Sequence, residues 1–226
     1  GKDGFDPLES ICSAIGIYRP RAGAPVRPPQ PTSNVAWTQA TLTDLRKGDA
    51  KAGAALAEEL CVSCHLPNSM SSDPKTVPST TGLSAHVIYK QLLDMKMGQR
   101  VNEQMQPVVT DLNLAQMADL AAYYSQLPQT RADTRATKGD EAETLVTEGD
   151  AARSMPACAS CHGDATGGPM EAPALTGQYP AYIAAQLRAY AKGERKNDLY
   201  GRMRTVAAKL TDAEIEALAQ YYDGWR

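Results

Sequence analysis

Five residues occur together twice in this chain: Cys61-Val62-Ser63-Cys64-His65 and Cys158-Ala159-Ser160-Cys161-His162. Two thiols three positions apart can each form a thioether to one vinyl group of a haem, and the imidazole that follows is placed to bind its iron. With 5 Cys and 3 His in 226 residues, chance gives roughly 0.002 such pentapeptides. A zinc ribbon would need its two C-x-x-C pairs about 15–20 residues apart. A redox dithiol has no need of the trailing histidine, and disulfides would leave both histidines idle. Two covalently bound haem c groups are therefore expected, held by Cys61, Cys64, Cys158 and Cys161, with His65 and His162 as proximal iron ligands.

The sixth iron position needs a second donor. A methionine there raises the reduction potential and closes the iron to small ligands. Met95 and Met117 fall on helical faces, where packing accounts for them. Met70 and Met170 follow their motifs too closely to reach the other haem face, Met97 has no partner in the second copy, and Met155 precedes its motif through Pro156. Met105 and Met203 each lie seven residues before a leucine, Leu112 and Leu210, that leads into the last helix of its copy. They are the expected axial ligands. His86, whose counterpart is not a histidine, is read as a surface helix residue.

Helices must position these groups. Asp49 to Leu60 is rich in helix formers and delivers the chain into the first motif. A second helix is expected over about Ser84–Lys96. A third runs from Leu114 to about Gln126, capped by Asn113 with Gln116 three residues on. Met117, Leu120, Ala121 and Tyr124 form an apolar stripe. The pattern returns as Thr211-Asp212-Ala213-Glu214, a capping box, followed by Ile215, Leu218, Ala219 and Tyr222. Tyr123-Tyr124 and Tyr221-Tyr222 close the two copies alike, and Gln91-Leu92 recurs as Gln186-Leu187. This is an internal duplication of roughly eighty residues. The expected organisation is a Pro-rich arm over 1–48, a first domain over 49–127, a linker over 128–145 and a second domain over 146–226. Neither haem motif lies in the arm, so it is expected to be dispensable for haem incorporation.

These motifs in this order resemble class I cytochrome c. Two such units resemble the two-domain dihaem cytochromes of the c-four type. The resemblance implies an all-α fold of two tandem cytochrome c domains, each wrapped around one haem. It also implies that the Pro173 carbonyl accepts from the His162 ring and that Pro78 does the same for His65. The first copy departs from the pattern at Thr80, where the second has Leu175. The implied function is electron carriage between redox protein partners, a donor dehydrogenase or a terminal oxidase, and not catalysis. One alternative is a non-catalytic electron-transfer subunit of a periplasmic dehydrogenase or oxidase complex. Another is a dihaem enzyme, a peroxidase or a thiosulfate-oxidising cytochrome.

Composition sets the remaining bounds. A formal charge of −3 is too weak to imply nucleic acid. No apolar run approaches a membrane span, so any membrane association would run through partners. The chain opens on polar Gly1-Lys2-Asp3-Gly4 and reads as a processed, periplasmic form, because covalent haem attachment follows export. Cys12 is left over, as a buried apolar residue, a free thiol or one half of an intermolecular bond. Arg188 to Arg204 carries six basic residues against two acidic. That stretch reads as a docking patch for an acidic partner, as a solvated face or as partners for the haem propionates.

Overall fold

The computed structural model describes residues 33, 35, 37–66, 71–128, 141–163, 167–168 and 171–223. The helices are α1 (Gln39–Arg46), α2 (Ala50–Leu60), α3 (Ala85–Lys96), α4 (Gln106–Thr110), α5 (Leu114–Ser125), α6 (Glu141–Thr147), α7 (Ala159–His162), α8 (Pro180–Ala191), α9 (Arg202–Ala207) and α10 (Asp212–Tyr221). A 3₁₀ turn, Leu199–Gly201, precedes α9. Among the described residues there is no strand, only the isolated bridges His65–Ser71 and Asp150–Met155. The fold is all-α.

In the first half, α2 crosses α5 in the most extensive helix pairing of the molecule. The crossing is close because Gly53 lies on it: a Cβ there would stand 2.0 Å from the Asp119 carbonyl oxygen. Asp49 caps α2 by accepting from Lys51 N at 2.8 Å, while its own N–H donates to Asp119 Oδ1 at 2.7 Å. The start of α2 is thus capped and tied to α5 by short polar bonds. The stripe on α5 packs inward as its spacing requires, with Met117 and Ala121 fully buried and Leu120 nearly so. Asn113 and Gln116 form the capping box that starts it.

The second half repeats this with Ile215, Leu218 and Ala219 on α10, started by the Thr211–Glu214 capping box. Arg153 fastens that box. Its guanidinium donates to both Glu214 oxygens, at 3.0 and 2.5 Å, and to Asp150 Oδ2 at 2.6 Å. The Arg153 side-chain bond, ahead of all else, holds the Glu214 carboxyl at a pKa of about 2 against an ordinary 4.5. As pH falls below 4.5 the unfolded chain takes up this proton before the folded one does. The stability contributed is therefore complete above that pH and lost on the way down to about 2. Allowing for the part-exposed arginine, it amounts to about 2 kcal/mol. Glu214→Gln should lower the melting temperature at pH 7 and flatten its fall between pH 5 and 3. Parallel melting curves for the two proteins across that range would refute the linkage.

Two segments read as arm and linker contain helices. The linker, read as 128–145, is helical from Glu141 onward. Helix α6 buries Ala142, Leu145 and Val146 in the second core against α10. It packs on the last helix of its half, as α2 does in the first. The arm, read as 1–48, likewise ends in structure. Helix α1 buries Leu45 in the first core, and Trp37 packs on His86 with ring centroids 5.1 Å apart. His86 is accordingly a packing partner, not a free surface residue. The proline cluster of the arm and Cys12 lie outside the described residues. A chain beginning at Asp49 should therefore unfold at a markedly lower temperature, since Leu45→Ala alone is expected to cost about 2–4 kcal/mol. Unchanged melting of the truncated protein would show α1 to be ornamental.

Candidate functional site

Each C-x-x-C-H motif is wound into a single helical turn. In the first, Cys64 N and His65 N donate to Cys61 O at 3.2 and 2.8 Å. In the second, Cys161 N and His162 N donate to Cys158 O at 3.2 and 2.9 Å. A helical turn puts positions i and i+3 on one side, so each pair of thiols faces the same way, with the imidazole one residue further round. None of the four cysteines is in a disulfide.

His162 Nδ1 lies 2.9 Å from the Pro173 carbonyl oxygen. A carbonyl only accepts, so Nδ1 carries the proton and the Nε2 lone pair is left for a metal. Burial lowers the basicity of the ring, partly offset by this bond, which keeps it neutral and ligand-competent. His65 is held less tightly. Burial again lowers its basicity, and the Pro78 carbonyl lies near enough to oppose that, but Nδ1 makes no hydrogen bond among the described residues. The Thr80 hydroxyl, on the wall of the same cavity, is buried and likewise without a hydrogen-bond partner there.

One continuous, mostly apolar cavity of about 650 Å³ runs through both halves. Its walls include Cys61, Cys64, His65, Pro78 and Met105 from the first, and Cys158, Cys161, His162, Pro173 and Met203 from the second. Different elements supply the two ends of each set. Met105 stands at the N-terminus of α4, its N–H bonded to Asn102 Oδ1 at 2.8 Å, and Met203 lies on α9. The apolar wall is completed by residues such as Leu92, Leu112 and Leu120 and, in the second half, Leu187, Leu210 and Leu218. Four thiols, two neutral imidazoles and two thioethers around an apolar space suit a pair of covalently bound haems. His65 and Thr80, each with a buried polar atom that has no hydrogen-bond partner among the described residues, both line that space.

Sequence reasoning missed the seam between the halves. Arg100 and Arg195 occupy the same place in the two repeats, nine residues after Gln91 and Gln186. Arg100 donates to its own Gln91 at 2.8 Å and across the seam to Gln186 at 3.4 Å. Arg195 donates to its own Gln186 at 2.8 Å and across to Gln91 at 3.1 Å. The result is a ring with twofold character, extended by Arg100 to the Tyr182 hydroxyl at 2.7 Å. Neither arginine pairs with a carboxylate among the described residues. Burial, and then the Arg100 charge, lowers the basicity of Arg195. Both guanidinium groups line the cavity. The only sequence signal was the shared nine-residue interval.

Beside the ring lies a second, asymmetric cluster. Lys90 donates to Asp94 Oδ2 and to the Asn197 carbonyl, both at 2.6 Å, and Asn197 Nδ2 donates to Asp94 Oδ2 at 2.8 Å. Ser33 donates to Asp94 Oδ1 at 2.6 Å, and Trp37 Nε1 reaches Glu171 Oε2 at 3.1 Å. Gln178 and Ser79 exchange two bonds of 2.9 Å.

The basic stretch Arg188–Arg204 breaks up on folding. Arg188 is tied to Asp212 and Glu216, Arg195 is taken into the seam, and Arg204 pairs with Asp198 at 2.7 Å. Lys192, Lys196 and Arg202 remain exposed. A continuous six-residue docking patch does not exist.

A family model described as Cytochrome c matches residues 50–128 and again 146–223. The cytochrome c4 of Thiocapsa roseopersicina is 37% identical over 180 residues, covering 78% of this chain and 93% of that protein. A thiosulfate dehydrogenase electron acceptor of Thiomonas intermedia (strain K12) is 37% identical over 165 residues, covering 71% of this chain and 76% of that protein. The crystal structure of reduced recombinant cytochrome c4 from Pseudomonas stutzeri superposes with a TM-score of 0.72 at 32% identity, covering 79% of this chain and all of that one. Matched twice by one family and built from two copies of one helical plan around a shared cavity, the chain belongs to the cytochrome c family as a two-domain electron-transfer protein with two covalently bound haem c groups.

Proposed function

We propose that the protein is a periplasmic electron carrier in which His65 with Met105, and His162 with Met203, hold the two irons, and that it catalyses no reaction of its own. The observation that carries this reading is the convergence of all ten candidate residues on one cavity. The haem supplies a one-electron couple between Fe(III) and Fe(II). The cysteines fix it to the chain, and the Pro173 bond aims the His162 lone pair. The Met105 and Met203 thioethers would hold the irons opposite the histidines and leave no open position, unlike a peroxidase or thiosulfate-oxidising enzyme. Arg100 and Arg195 are the cations suited to the haem carboxylates, because the buried Arg100 and half-buried Arg195 guanidinium groups line the cavity and neither pairs with a carboxylate among the described residues.

Redox proteins are the partners. A donor dehydrogenase is favoured, since a relative is named as the electron acceptor of thiosulfate dehydrogenase. The same observation supports a second reading, a non-catalytic subunit held in such a complex. Export to the periplasm accords with covalent haem attachment. Among the described residues no helix is long and apolar enough to cross a membrane. The test is carbon monoxide binding to the reduced protein, followed spectroscopically. With both irons six-coordinate, binding should be slow and incomplete at neutral pH. Rapid stoichiometric binding at either haem would move the reading to an enzyme with an open iron.

A further inference from the structure

The two repeats keep a constant register from Gln91/Gln186 through Arg100/Arg195 to Asn102/Asn197, and then part. Three positions separate Asn102 from Met105, whereas six separate Asn197 from Met203. The extra residues form the 3₁₀ turn, and they are built in an unusual way. Tyr200 has φ 57° and ψ 19°, and Gly201 follows at φ 67° and ψ 19°. Two consecutive left-handed residues, the first an aromatic one, cost about 1–2 kcal/mol for the tyrosine alone.

The polypeptide does not offset that cost through burial: Tyr200 stands at the wall of the cavity, next to Met203 in its lining, and is 82% exposed, the most of any large apolar side chain among the described residues. Its ring contact is the Arg202 guanidinium, 5.3 Å from the centroid. The base of the turn is nevertheless rigid. Asn197 and Asp198 are buried, and Asp198 accepts from Arg204 N at 2.9 Å and Arg204 Nε at 2.7 Å. A stiff base holding out a strained, arginine-stacked tyrosine has the character of an interface anchor: large, amphipathic and already ordered. The exposed charges on the same segment are Lys192, Lys196 and Arg202 against Glu194 alone.

We propose that Tyr200 is the anchor of a docking surface for an acidic redox protein, which it seats against the second haem domain beside Met203. The inference rests on the electron-transfer reading above. Tyr and Arg together supply the contact that desolvates on docking, and the lysines supply attraction during encounter.

The test uses the full-length protein with both haems and a reduced, acidic blue-copper protein as the electron donor, mixed by stopped flow. Tyr200→Gly suits the left-handed backbone better than tyrosine does, so loss of the fold cannot explain a slower reaction. It should cut the second-order rate by about tenfold, while Tyr200→Phe retains most of it. The wild-type rate should also fall as salt is raised through 0.1 M, where screening acts over about 10 Å. A small ruthenium ammine serves as the reference reductant, and its rate should be the same for all three proteins. Equal rates with the acidic protein for wild type and Tyr200→Gly would overturn the anchor. So would an equal slowing with both reductants, which would place the change at the haem. Failure of both reductants to reduce the wild type would instead remove the electron-transfer reading itself.

Discussion

Replacing Met203 with His should lower the potential of one haem by on the order of 0.2 V and remove its share of the far-red ferric charge-transfer band. A thioether is a weak donor that favours Fe(II), whereas an imidazole is a stronger donor to Fe(III), so the change of sign is fixed. Met105→His should do the same to the other haem. Because each methionine sits on its own element, one before α4 and one within α9, the two shifts should be separable in a redox titration. Met95 also lines the cavity of the first half, but it is buried in the core on α3. Met105→Ala is the stricter test there. A ferric spectrum untouched by Met105→Ala and Met203→Ala would mean that other residues bind the irons.

The parts of the molecule that could be read beforehand are those whose signal is local. A C-x-x-C-H run carries its own geometry, since one helical turn sets thiol, thiol and imidazole. Asn113 with Gln116 and Thr211 with Glu214 mark helix starts through bonds that span three residues. The stripes on α5 and α10 repeat at the helical period. By contrast, α6 opens with Glu141-Ala142-Glu143-Thr144, charged and short, and reads as linker until Leu145 and Val146 find α10. Helix α1 fails for the same reason, with Leu45 as its one buried residue. Their stability comes from the tertiary contact and not from propensity, which is why the pattern stayed silent.

The basic stretch failed differently. Six cations close together in sequence read as one surface, but a helix and a turn send them in separate directions. Arg188 meets Asp212 and Glu216 on α10, more than twenty residues away in the chain, and Arg195 meets Gln91 in the other domain. Charge runs report solvent exposure only where no acid or amide waits across the fold. What survives is a smaller set, and its most telling member, Tyr200, is uncharged.

Arg195→Gln should lower the potentials of both haems, though the residue belongs to the second domain. The arginine bonds Gln186 in its own domain and Gln91 in the other, and its charge stands in the cavity wall that the two domains share. A cation near a haem favours the ferrous form, which carries one more electron than the ferric. A unit charge about 10 Å away is worth about 1.7 kcal/mol at an effective dielectric of 20. Tens of millivolts are therefore expected at each haem, with a tenfold change in a one-electron equilibrium corresponding to about 59 mV. Arg100→Gln should act in the same direction. The double variant should shift by about the sum, because the Coulomb contributions of separate charges add and the repulsion between the two guanidinium groups is the same in both oxidation states. The seam should weaken as well, since Asn197 loses its Arg195 partner at 3.0 Å and Gln91 loses a donor. A redox titration of the three variants decides the matter. Shifts confined to one haem per arginine would show the ring to be a structural rivet with no electrostatic reach across the seam.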